Sequence, residues 1–149
     1  MPEITTRVLI NVFLAAGALF ALWQGRAAER ASAIVVIANV LIGQSFHELN
    51  PAYDSIVRLV NDGLSALALL GITLRFGAPW MGGVMLFFAA QFSLHSYYLV
   101  MNRSQSDRLH AIVNNVNWSG IAWCLIIGTA VAWRQRFVRA RSAQRAAAA

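Results

Sequence analysis

The sequence predicts an all-α integral membrane protein, an antiparallel bundle of five transmembrane helices with its N-terminus outside and its C-terminus cytoplasmic. Three observations lead there. Hydrophobic residues make up 58% of the 149 and charged residues only 12%, about half of the ~25% found in soluble domains. Mean hydropathy is +0.57. The apolar residues also gather into five long runs separated by turns of a few residues. A membrane-crossing helix needs ~20 residues at ~1.5 Å each, and turns this short make consecutive helices antiparallel neighbours.

The first span covers about 8–24. A signal peptide is the competing reading of this run. Against it, the leading segment carries one arginine and one glutamate, and the zone where cleavage would fall, 24–32, is arginine-rich. Gly17 and Ala21 form a small-xxx-small pair that lets another helix come close. The second span, 31–48, is interrupted by Asn39 and Gln44 and is short, so a four-span bundle with a re-entrant or surface second segment is the alternative. Asn50 and Pro51 suit the N-cap and first position of the third span, 54–74. The fourth span runs over 80–101. The fifth, 109–133, follows N-cap candidates Ser104, Ser106 and Asp107. Residues 134–149 form a basic cytoplasmic tail that continues the last helix.

Arginine placement sets the orientation. With the N-terminus outside, the cytoplasmic side receives eight arginines (26, 30, 75, 134, 136, 139, 141 and 145) against four outside (7, 58, 103 and 108), which the positive-inside rule favours. Trp23, Trp80 and Trp133 then share the cytoplasmic interface, where an aromatic belt belongs. Tyr53, Tyr97, Tyr98 and Trp118 would form the outer belt.

Four segments carry polar stripes at helical spacing: Asn39, Gly43 and His47; Arg58, Asp62 and Ser65; Gln91, His95, Tyr98 and Asn102; His110, Asn114 and Asn117. Residues at i, i+4 and i+7 share one helix face. In this topology the stripes meet in the outward half of the bilayer, with His95, Asp62 and Asn114 to Asn117 roughly 9–12 Å below the rim. Asp62 is costly there, by about 2.5–3.5 kcal/mol on insertion scales, and Arg58 is its expected partner. The Arg-before-Asp order is the weaker one on a helix, so His95 is expected to assist.

Several chemistries are closed. The chain has no lysine, which removes retinal and pyridoxal Schiff bases. A single cysteine, Cys124, removes internal disulfides, CxxC motifs and iron–sulfur clusters. No phosphate loop, nucleophile elbow or dinucleotide fingerprint is present. The remaining expectation is a small membrane protein whose outward polar pocket binds a small ligand, a lipid headgroup or a partner segment. The candidate ligand-binding residues are His95, Asp62, Arg58, Gln91, Tyr98, Asn114 and Asn117. The alternative is an intramembrane enzyme or redox protein. It would use a metal on His47, His95 and His110, or a haem on His95 with His47. A transporter fits less well, because the stripes stop near mid-membrane and no inverted repeat is visible. The sequence assigns no cofactor. The expected partners are the bilayer, anionic lipid at the arginine-rich tail, and a membrane-protein partner or second copy. Nucleic acid is not expected. The expected location is a bacterial inner (plasma) membrane.

Overall fold

The computed structural model describes residues 2–49, 53–103 and 107–147. Among them there is no strand. Five helices follow one another: α1 (Pro2–Gln24), α2 (Ala27–Leu49), α3 (Asp54–Phe76), α4 (Pro79–Val100) and α5 (Arg108–Ala147). Four of them, α2 to α5, are long and apolar enough to cross a membrane, while α1 contributes a shorter apolar stretch, Val8–Gln24. The second segment is therefore longer than its apolar core suggested. Ala27 to Arg30 form its first turn, because the Glu29 carboxylate accepts a 2.8 Å hydrogen bond from the Arg26 backbone N–H, half of a capping box.

Local chemistry explains the other boundaries. Gly77 closes α3 in the left-handed conformation (φ 61°), its N–H bonding Thr73 O, and Pro79 opens α4 in its first turn. Asp107 caps α5 by accepting from the Leu109 N–H at 3.4 Å. The capping roles expected of Asn50, Pro51, Ser104 and Ser106 lie outside the described residues. Beyond Trp133, α5 runs on unbroken with its arginines exposed.

Each helix packs on its neighbours in sequence, and α5 returns to α1, closing a ring. Successive helices are antiparallel. Asp62 and Gly63 of α3 meet His95 and Phe92 of α4, while Thr73 meets Gly82. The ring closes on a parallel pair: Phe13 packs on Trp123 and Gly17 on Ala122 and Ile126, and the Arg136 side chain bonds Gln24 O further along.

One face of each inner helix changes character halfway. On α4 the buried residues are Met81, Val84, Phe88, Gln91, His95 and Tyr98, at alternating spacings of three and four. The first three are apolar and the last three polar. The same switch occurs on α5 from Leu125 and Ile121 to Asn117 and His110, on α3 from Leu69 to Ser65 and Asp62, and on α2 from Val36 to Asn39. Because the helices alternate in direction, these polar residues gather in one half of the bundle, where α3 and α5 begin; the other half buries only Glu29, Ser32 and Thr129 among the polar residues described.

The other half is held by close packing. Its core joins Val36, Leu69, Val84, Phe88, Ile121 and Leu125 with small residues of α1. Lipid supplies no hydrophobic drive between helices, so tight van der Waals contact must do so. The Phe87 ring lies over Gly120 and the Trp80 indole over Gly128, so closely that a Cβ on either glycine would collide. Gly17 serves the same purpose on α1, as its small-xxx-small spacing with Ala21 implies. Trp80 departs from the expected belt. Its indole N–H turns inward to Glu29 Oε1 at 3.1 Å, whereas Trp23 and Trp133 are exposed. Glu29, 2% exposed, thus accepts from two donors and joins the α1–α2 turn to α4.

Candidate ligand site

The polar half is built around Asp62. One carboxylate oxygen, Oδ1, accepts from Asn39 Nδ2 at 3.0 Å, and that nitrogen also lies 3.0 Å from Ser65 Oγ. The other, Oδ2, is 2.8 Å from His95 Nδ1. Both side chains of this pair are 5% exposed. Asn61 Nδ2 donates to Asn39 O at 2.8 Å, fixing the α2 backbone against α3. With Nδ1–H donated to a carboxylate, His95 presents Nε2 with its lone pair on the opposite edge of the ring.

Arg58 does not pair with Asp62. Its Nε donates to both oxygens of Asp54 at 2.9 Å, and Asp54 also lies 3.3 Å from His47 Nδ1. The helix explains the choice. Asp54 precedes Arg58 by one turn, the favoured order for an i, i+4 pair, whereas Asp62 follows it. His95, expected only to assist, is the true partner of Asp62.

A second amide network joins α4 to α5. Gln91 Nε2 donates to Asn114 Oδ1 at 2.8 Å, and Gln91 Oε1 accepts from Asn117 Nδ2 at 3.1 Å. Next to it, the His95 and His110 rings stack at 5.4 Å, and Tyr98 sets itself against His110 at 4.9 Å. His110 Nε2 is buried without a hydrogen-bond partner. Tyr98 is not part of the outer belt. It is 1% exposed, and its hydroxyl donates to Asp107 Oδ2 at 2.9 Å. That bond, aided by the Leu109 N–H, holds the Asp107 carboxyl below its ordinary value. Tyr53 and Tyr97 are exposed, as the belt requires, while Trp118 packs edge-on against Phe88.

These networks border a partly open cavity of about 760 Å³ to which all five helices contribute. His95, Asp62, Arg58, Gln91 and Asn114 line it, together with His47 and His110. Tyr98 and Asn117 are absent from the wall and stand behind it, holding Asp107 and Gln91. The wall also includes residues that stripe reasoning passed over as site residues: Asn11, Asn39, Asn61, Asp54, Arg108 and Asn115. Asn39 was legible as a stripe member. Asn61, three residues after Arg58 and four before Ser65, shares the α3 stripe's face and was equally legible, whereas Asn11 lies on a helix with no stripe and gave no periodic signal.

The three histidines do not form one ligand set. His47 belongs to the rim with Asp54, and the ring neighbour of His95 is His110. Among the described residues no group of three His, Cys, Asp or Glu side chains converges as a metal shell would. No protein-family model, curated protein or solved structure matches the chain.

Proposed function

We propose that this is a membrane-embedded binding protein whose ligand occupies the cavity in the polar half, against Asp62, His95, Gln91 and Asn114. The observation that carries this reading is the cavity of about 760 Å³, within the range of about 300–1,000 Å³ typical of small-molecule sites. A network serving only as interhelical glue would close on itself, since each such bond contributes only ~0.6–2 kcal/mol. This one surrounds open space. Arginine distribution supports an N-out, C-in orientation in a bacterial inner membrane, with the cavity on the outer side. Anionic lipid at the arginine-rich end of α5, and a partner subunit or second copy, complete the proposed setting.

The reading is tested by releasing the protein from its own membrane in mild detergent and measuring retained small molecules by mass spectrometry after denaturation. A stoichiometric compound should be present, and Asn115→Trp, which fills the cavity from its wall, should expel it while the melting temperature holds. An empty wild-type protein would count against the proposal.

The Asp62–His95 pair supports a second reading, an intramembrane enzyme in which His95 Nε2 takes a proton from substrate and the carboxylate orients the ring. Metal analysis and a visible spectrum of the purified protein test its metal and haem forms.

A further inference from the structure

We infer that the cavity is selective for a ligand bearing an oxyanion, a carboxylate or phosphate, held at its mouth by Arg58 and Arg108. This rests on the cavity being a ligand site and specifies the chemistry of what it takes.

Two carboxylates face the cavity, and both are already engaged. Asp54 accepts Arg58 Nε on both oxygens and lies against His47. Asp62 accepts from Asn39 on one oxygen and is bonded to His95 on the other. A cationic ligand, an amine for instance, would have to displace one of these partners. The two guanidinium groups on the wall are less fully engaged. Among the described residues Arg58 bonds only through Nε, leaving both terminal nitrogens of its guanidinium. Arg108 lines the cavity, and among the described residues no acidic side chain pairs with it. Asn114 spends its carbonyl oxygen on Gln91, so its amide N–H groups remain. Arg58 lies one turn into α3 and Arg108 begins α5, which puts both at the same end of the bundle. Guanidinium groups match the planar oxygens of carboxylates and phosphates.

The apolar part of the wall suits an apolar appendage. Ile10, Leu14, Val40 and Trp118 line it between the amides. An amphiphile would set its head between the arginines and its chain along these residues. A free oxyanion would use the same head site alone.

The test uses the full chain in dodecyl maltoside, which carries no charge, labelled with ¹⁵N at its three histidines. The probes are decyl phosphate, decanoate, inorganic phosphate and decyltrimethylammonium, and the readout is saturable change in the His95 and His110 ring resonances. Decyl phosphate and decanoate should shift both. Arg108→Gln should weaken them roughly tenfold, as expected for a lost charge-assisted bond, and Arg108→Lys should recover part of the loss. Arg58→Gln should act likewise; because Arg58 also braces Asp54, the exposed Arg108 carries the decisive comparison. If inorganic phosphate binds as well as decyl phosphate, the oxyanion is a soluble one. If only the decyl compounds bind, it is an amphiphile. Either outcome supports the oxyanion site. If decyltrimethylammonium binds equally well and Arg108→Gln changes nothing, the inference is overturned while the ligand cavity stands. If no probe moves either histidine, the ligand cavity falls with it.

Discussion

The two halves of this bundle are made from the same helices, and on α4 from the same stripe of buried residues, yet they are held together by different forces. In one half Phe87, Phe88 and Trp80 press onto glycines and aliphatic side chains with no space between. In the other, Asn39, Asp62, His95, Gln91 and Asn117 form directional bonds around a cavity. Packing alone would have sufficed for a five-helix bundle. The polar half carries buried amides and a buried Asp62–His95 pair that lipid makes costly, and it still leaves space unfilled. On the proposed reading, the contrast separates the part of the chain that secures the fold from the part that holds the ligand.

Substitutions should break the halves in different ways. The largest effect is expected from Phe88→Ala, which empties a fully buried site and should cost on the order of 3 kcal/mol or more, read as a fall in detergent unfolding stability. Asp62→Ala should cost about 2 kcal/mol, because His95 Nδ1 and Asn39 Nδ2 lose their acceptor in a buried site. Here the double substitution Asp62→Leu with His95→Phe is informative. Removing both partners should restore part of that loss while abolishing ligand retention; restored stability with undiminished retention would show that the pair is glue.

Much of this division is legible in the sequence. Helical spacing put His95, Asp62, Gln91, Asn114 and Asn117 on polar faces, because i, i+4 and i+7 define a face whatever the tertiary fold, and the alternating direction of the spans set those faces in one layer. Pairing was harder to read. Arg58 has an acid one turn before it and another one turn after, and the preference for the acid on the N-terminal side decides for Asp54. The open space itself left no trace in the pattern, since an amide facing a cavity and an amide facing another helix have the same periodicity. Trp80 and Tyr98 were misjudged as belt residues because aromatic side chains near a span end look alike until their polar tips find Glu29 and Asp107.

Those two aromatic tips give the smaller predictions, one for each half. Trp80→Phe keeps the ring over Gly128 but removes the hydrogen bond to Glu29, so a loss of about 1 kcal/mol is expected, visible as a modest drop in melting temperature. At the polar end, the folded protein holds Asp107 below its ordinary value, so the unfolded chain binds the proton more tightly. The associated stabilisation is complete above the ordinary carboxylate range, near pH ~4, and is lost as pH falls through the lowered folded value. Melting temperature against pH should therefore fall less steeply on the acid side in Asp107→Asn than in wild type.

The most direct test of the contrast is thiol accessibility in sealed proteoliposomes with a membrane-impermeant reagent. Cys124, packed against Gly83, samples the closed half in the wild-type protein. Asn115→Cys in a Cys124→Ala background samples the cavity wall. Position 115 should react readily from one side of the membrane only, the side where α3 and α5 begin, and Cys124 should stay unmodified from either side. Equal reactivity of the two positions, or none at position 115, would contradict a bundle with one closed half and one half built around an accessible site.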